Sequence, residues 1–307
     1  MEKWELKQMQ SLPLKIKIEK TKLRIREWYD HWNGDVYVSF SGGKDSTVLL
    51  DIVRQCYPDI PAVFVDTGLE YPEIREFVKT INNVIIRKPE LTFKQVLDKY
   101  GYPVISKEVS RDIYYARSCP DGKTADKFIR GSDYHKKYGD RFLLEKWNFL
   151  KDSVIPISNK CCDIIKKRPM KKYQKESKKY PYIGTLASES RLRKKEYLRS
   201  GCNAFNNKNP ISTPLGFWTE QDILKYIKEF NIPYASVYGK IVENEKKKLH
   251  TTGENRTGCM FCMFGCHLEK EPNKFQRMKI THPKQYDYCI NKLKLGKVLE
   301  YINVPYN

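Results

Sequence analysis

The order of residues predicts an α/β fold, doubly wound around a mostly parallel sheet, with a cysteine-containing C-terminal extension. Three observations carry this expectation. Short β-branched and aromatic runs alternate with amphipathic helical segments through the first hundred residues and again after residue 180. A polar, glycine-containing loop, "SGGKDS" at 41–46, stands where the first strand meets its helix. From about residue 236 the alternation gives way to irregular spacing and clustered cysteines.

Residues 11–33 alternate apolar and basic positions at helical spacing and stop at Gly34. "DVYVSF" (35–40) reads as a buried strand, and "TVLLDIVRQC" (47–56) as an apolar-faced helix. "PAVFVDT" (61–67) is a second strand, "PEIREFVKTI" (72–81) a helix, "NVIIRK" (83–88) a third strand, and about 92–100 a further helix. The weakly patterned stretch 119–141 is expected to be an inserted loop or lid. "YPYIGTL" (180–186) returns to strand and "SESRLRKKEYLRS" (188–200) to helix. "TEQDILKYIKEF" (219–230) is amphipathic, with Thr219 placed to cap it. The chain therefore divides into an N-terminal helical segment (1–33), an α/β domain (34–235) and the extension (236–307), with no internal repeat or low-complexity linker.

A chain of 307 residues, 40% hydrophobic and 13% aromatic, can bury a proper core. No apolar stretch approaches bilayer length, and "MEKWELKQMQ" is polar, so neither a signal peptide nor a membrane helix is expected and the protein is placed in the cytoplasm. In that reducing compartment nine cysteines read as ligands, catalysts or core residues rather than disulfides. A formal charge of +20 favours polyanions. The excess is clustered, since residues 166–195 hold twelve Lys or Arg against two Glu, which points to nucleic acid as a partner; lysines spread over solvated faces are the plain alternative.

Glycines at a strand-to-helix junction let backbone N–H groups point at a ligand, and the helix N-terminus adds positive potential for a phosphate. The loop is not a Walker A motif, because Val38 and Asp45 occupy the positions where that motif needs Gly and Ser or Thr. "SGGKDS" after a first strand resembles the PP-loop of the ATP pyrophosphatase superfamily, which cleaves ATP between its α and β phosphates. "VFVDTGLEYPE" (63–73), "GTLASESRLR" (184–193) and "PLGFWTEQDILKYIKEFNIPYASVY" (214–238) resemble, in order, motifs of the phosphoadenosine phosphosulfate (PAPS) reductase branch. The resemblance spans about residues 30–265 and implies an adenine nucleotide alpha hydrolase-like, Rossmann-like fold. Branch members that take an already adenylated sulfate release no pyrophosphate and carry a degenerate loop. The intact loop here implies ATP. By the same resemblance Ser41, Gly42, Gly43, Lys44, Asp45 and Ser46 would hold the pyrophosphate and its Mg²⁺, with Lys44 and Asp45 catalytic. Asp66 and Thr67 would lie near the ribose and adenine, and Gly184 beside the nucleotide. Glu189, Arg191 and Arg193 would face the α-phosphate or the acceptor, the two arginines being catalytic.

"NKCCDIIKKRPMKKY" (159–173) supplies Cys161 and Cys162, and "RTGCMFCMFGC" (256–266) supplies Cys259, Cys262 and Cys266. Two pairs separated by the 96 residues 163–258 make four ligands. Zinc fits the count, yet adjacent cysteines suit one tetrahedral ion poorly, whereas a cube-shaped cluster offers them separate irons. Inert core thiols or a redox pair are the other readings. Cys-Cys…Cys-x-x-Cys resembles the [4Fe–4S] site of adenylylsulfate reductases and of DNA phosphorothioation sulfurtransferases, which implies Cys161, Cys162, Cys259 and Cys262 as ligands. Cys266 is a spare. The reductases also carry a nucleophilic cysteine in a mobile C-terminal tail with a Glu-Cys-Gly motif. Here Cys289 sits between Tyr288 and Ile290 in an expected helix, without that motif.

Three functions follow as expectations. The first is an ATP pyrophosphatase-type sulfurtransferase that inserts sulfur into nucleic acid, by DNA phosphorothioation or tRNA thiolation, fed by a cysteine desulfurase or another sulfur donor. The second is an assimilatory PAPS or adenylylsulfate reductase. The third is a non-catalytic nucleotide or nucleic-acid-binding module with a structural metal. No membrane partner is expected, and self-association into a homo-oligomer is open.

Overall fold

The structure, a computed structural model, describes residues 1–125 and 145–307. The expected lid over 119–141 therefore falls, from residue 126 onward, outside the described residues. The described residues form two compact units that interleave along the chain. The first comprises 1–66, 70–88 and 169–258; the second comprises 67–69, 89–168 and 259–307.

The first unit is built on a six-stranded sheet of β1 (Val36–Ser39), β2 (Ala62–Val65), β3 (Val84–Arg87), β5 (Tyr180–Ile183), β6 (Asn203–Ala204) and β7 (Ile211–Ser212). Their order across the sheet is β3-β2-β1-β5-β7-β6. All neighbours pair in parallel except β6 with β7. The register runs from Val36 opposite Tyr180 to Ser39 opposite Ile183, and from Ala62 opposite Val84 to Val65 opposite Arg87. Val36, Tyr37, Val38, Ala62, Val63 and Phe64 are buried whichever face they point to. Such burial on both faces is why these strands read as continuous apolar runs rather than alternating ones. β3 is one edge of the sheet, and its Ile86 is exposed.

The N-terminal segment is two helices, Lys3–Ser11 and Leu14–His31, rather than one helix over 11–33. Pro13 breaks them, because the residue before proline is driven out of the helical region and Leu12 is extended. Helix Lys44–Cys56 starts three residues earlier than its apolar face suggests, with Gly43 at its cap. Helix Pro72–Lys79 follows β2, and helix Arg191–Ser200 follows β5, capped by the Ser190 hydroxyl, which accepts from the Arg193 N–H. Helix Glu220–Glu229 is held by a capping box: the Thr219 hydroxyl accepts from the Asp222 N–H, and the Asp222 carboxylate accepts from the Thr219 N–H at 2.7 Å. A short hairpin of β8 (Ile241–Glu243) and β9 (Leu249–Thr251) completes the unit.

The second unit pairs β4 (Val104–Ile105) in parallel with β10 (Met263–Phe264). Around this pair lie helices Phe93–Tyr100 and Lys107–Ser118 and the tail helices Lys274–Thr281, Pro283–Asp287 and Leu295–Tyr301. Ile113, Leu150, Ile165, Met263, Phe275 and Leu299 form its buried interior. The Arg117 guanidinium donates to the carbonyls of Leu150, Lys151, Ser153 and Ile155, at 2.5 to 2.8 Å, and so holds one loop shut. Among the described residues no helix is long and apolar enough to cross a membrane.

Candidate functional site

At the C-terminal end of β1 the chain turns through Gly42, whose φ is +70°. A Cβ there would stand 2.7 Å from Ile74 Cγ2 and 2.9 Å from Val78 Cγ2, so only glycine lets the loop pack against helix Pro72–Lys79. The loop is braced from inside by serines. The Ser41 N–H donates to Ser46 Oγ at 3.2 Å, the two hydroxyls meet at 3.0 Å, and Ser46 Oγ donates to the Gly43 carbonyl at 2.9 Å. Gly184, just after β5, also comes close: a Cβ there would lie 3.0 Å from Ser46 Cα. The open N-terminus of helix Lys44–Cys56 is thus presented at the C-terminal edge of the sheet, beside β5, where the strand order turns back.

Lys44 is buried at 5% exposure. Its ammonium donates to the Asn255 carbonyl at 2.5 Å, pairs with Glu220 at 3.0 Å and lies 5.3 Å from the centre of the Tyr238 ring. Its backbone N–H donates to the Tyr238 hydroxyl at 3.2 Å, which in turn sits 2.6 Å from Thr257 Oγ1. A strap, residues 251–258, therefore lies against the loop. Tyr238, Glu220, Asn255, Arg256 and Thr257 do not figure among the sequence-derived candidates. The polar "TTGENRTG" (251–258), with two glycines, was the available signal.

Asp45 is the chemically distinctive member of the loop. Its Oδ1 is buried and has no hydrogen-bond partner. Burial drives its carboxyl above the ordinary aspartate range; Lys44 pulls the other way, Glu220 pushes it up, and Arg256 and Arg193 pull it down. A carboxylate oxygen held dry and unpaired fits a cation such as Mg²⁺ carried in by a nucleotide.

The structure brings Glu189, Arg193 and Arg256 into the same neighbourhood. The Glu189 carboxylate contacts the Arg193 guanidinium, accepts from the Leu186 N–H at 3.0 Å and stands 3.9 Å from Arg256. Burial lowers the Arg193 pKa, and Arg256 lowers it further. Arg191, at the start of the helix, faces solvent. Asp66 follows β2 and pairs with Arg75 at 3.0 Å. Thr67 belongs to the second unit, where its buried hydroxyl accepts from the Leu69 N–H.

The four paired cysteines all belong to the second unit. Cys161 and Cys162 enter a turn of π-helix, Asp163–Lys167, that runs on into helix Arg168–Ser177. Cys259 and Cys262 share a turn closed by the Cys262 N–H on the Cys259 carbonyl at 3.2 Å. Cys161 is buried. Desolvation pushes its thiol far up, Cys162, Cys259 and Cys262 push it further, and Lys166 pulls it down. Among the described residues no three His, Cys, Asp or Glu side chains are drawn together closely enough to hold a metal ion. The donor set nonetheless fits a thiophilic centre. Cys162, Cys259 and Cys262 all lie within electrostatic reach of Cys161, and four sulfur donors are the set such a centre takes. Cys266 is buried and donates to the Met263 carbonyl at 3.0 Å.

The chain matches the phosphoadenosine phosphosulfate reductase domain over residues 35–114 and 129–267. It is similar to an adenosine 5'-phosphosulfate reductase of Anoxybacillus flavithermus, 24% identical over 271 residues that cover 88% of this chain and 90% of that one. An uncharacterized protein of Methanocaldococcus jannaschii is 24% identical over 285 residues, 91% of this chain and 53% of that protein, so the chain spans about half of that relative. A phosphoadenylyl-sulfate (PAPS) reductase from Candida auris, solved as a phosphate complex, aligns with a TM-score of 0.40 at 14% identity, over 81% of this chain and 98% of that one. The family match takes in both the phosphate loop and the paired cysteines, and the chain belongs to the phosphoadenosine phosphosulfate reductase domain family.

Proposed function

We propose that the protein is an ATP-cleaving sulfurtransferase that adenylates a nucleic-acid acceptor and replaces the activated oxygen with sulfur. The observation that carries this is the complete phosphate loop, with a buried lysine and an unpartnered buried aspartate at one helix N-terminus. The acceptor oxygen attacks the α-phosphorus of ATP, and the bond to pyrophosphate breaks. Loop amides and Lys44 stabilise the charge on the departing pyrophosphate. Asp45 orients the cation that travels with it. Arg193, beside Asp45 and Glu189, faces the α-phosphate. A hydrosulfide then attacks the activated atom, a bond to sulfur forms, and AMP leaves. A cluster bound by Cys161, Cys162, Cys259 and Cys262 would supply a place to hold that sulfide, delivered by a desulfurase or another donor. Twelve cationic residues in 166–195 favour a polyanionic acceptor.

The names of the reductase relatives favour sulfate reduction as the second reading. Against it stands Cys289, which is 0% exposed and whose thiol burial pushes up to about 12, so it is a poor nucleophile. The test is to incubate anaerobically purified protein with ATP, sulfide, and total RNA or DNA. Equimolar AMP and pyrophosphate with sulfur in the digested nucleotides supports the proposal. Sulfite from adenylylsulfate, with no sulfur in nucleic acid, overturns it.

A further inference from the structure

Along the sheet from the phosphate loop, on the side away from β2, the first unit holds a cavity. It has a volume of about 230 Å³ and lies among β5, β6, β7 and helix Arg191–Ser200, and its walls are largely apolar. Ile183, Ala187, Ala204 and Ile211 line it together with Tyr197. The Tyr197 ring is fixed in place: a Cβ on Gly216 would stand 2.1 Å from its Cε2, so the ring rests directly on that backbone. The charged part of the lining comes from Arg193 and Glu196 of the helix.

Two features of placement say what such a cavity takes. Arg193 is shared, because it also meets Glu189 and its charge acts on Asp45 of the loop. The occupant therefore sits one side chain away from the phosphate site. The helix over the cavity, "RLRKKEYLRS" (191–200), carries five cations against Glu196, with Arg191, Lys194 and Lys195 facing solvent. A small apolar slot beneath a cationic helix suits a planar ring tethered to phosphates. Its volume lies below the roughly 300–1,000 Å³ of sites for drug-sized ligands, so it admits one ring system. Sheet order divides the labour: Asp66 ends β2 on one side of β1, while the cavity opens on the β5–β7 side.

We infer that this cavity receives a single nucleobase turned out of a nucleic-acid strand, with the flanking phosphates along helix Arg191–Ser200. The inference rests on the nucleic-acid acceptor proposed above and adds that the acceptor atom is carried by, or lies beside, an everted base. A base inside a stack cannot reach a recessed site. Unstacking has a free-energy cost, which burial against Tyr197 and Ile211 and the phosphate contacts offset.

The test uses single-stranded RNA and DNA oligonucleotides carrying one central 2-aminopurine, whose emission rises when it leaves the stack, titrated with the full chain at low salt. A several-fold rise with either strand is expected. It should be lost when the cavity is filled by Ala204→Phe or, independently, by Ala187→Leu. Retained binding of a fluorescent ATP analogue shows that each variant keeps its loop folded. Oligonucleotide binding with no rise, or a rise that survives both fillings, overturns the base pocket and leaves the nucleic-acid acceptor standing. No binding of any oligonucleotide overturns both.

Discussion

Asp45 illustrates how a single residue can be held ready at a cost to the fold. Its folded-state pKa lies above the unfolded value, because burial outweighs the help of Lys44. Between those two values the folded chain keeps a proton that the unfolded chain has released. Stability therefore falls as pH rises from the ordinary aspartate range to the raised folded value, and is level above it. Asp45→Asn removes the penalty. Its melting temperature, without nucleotide, should exceed that of the parent near pH 7 and converge with it as pH falls below the ordinary aspartate range; each 1 kcal/mol relieved is worth about 2 °C in a chain of this size. A gap that does not change with pH contradicts this account of Asp45.

The elements show which interactions write themselves into a sequence. β1 and β2 were legible because strands buried on both faces read as short apolar runs, and helix Glu220–Glu229 because its cap is a side chain. Helix Lys107–Ser118 was not: its buried face includes Ser110 and Asp112, so its periodicity is masked by polar residues. The strap at 251–258 offered only its polar residues and two glycines as a signal, since Asn255 reaches Lys44 through a carbonyl oxygen, which any residue has. Tyr238 was within a recognised motif, but nothing in that motif says its hydroxyl meets the Lys44 N–H. A buried ion pair fixes the helix that carries Glu220. Lys17, 1% exposed, donates to Asp222 at 2.6 Å and to the Gln10 carbonyl at 2.7 Å, while Asp222 also closes the Thr219 capping box. Lys17→Met would strand a buried carboxylate. It should cost about 3–5 kcal/mol in denaturant unfolding, and a cost under about 1 kcal/mol, the level of a surface pair, would contradict that role.

For the molecule as a whole, the phosphate loop lies in the first of the two interleaved units and the four paired cysteines in the second. The cysteine site makes its own forecast. Anaerobically purified protein should be brown and hold about four irons, as a [4Fe–4S] cluster requires. Cys161→Ser and Cys259→Ser should each lower the iron content, and stoichiometric zinc in its place would contradict the iron–sulfur reading. The proposed reaction turns on ATP cleaved between its α and β phosphates. Pyrophosphate release from ATP, measured anaerobically with nucleic acid and sulfide present, decides this. The parent should release pyrophosphate and AMP in equal amounts, and Lys44→Ala should lower the rate about 10²–10³-fold. Release that is unchanged in Lys44→Ala, or absent from the parent while adenylylsulfate is turned into sulfite, would contradict it.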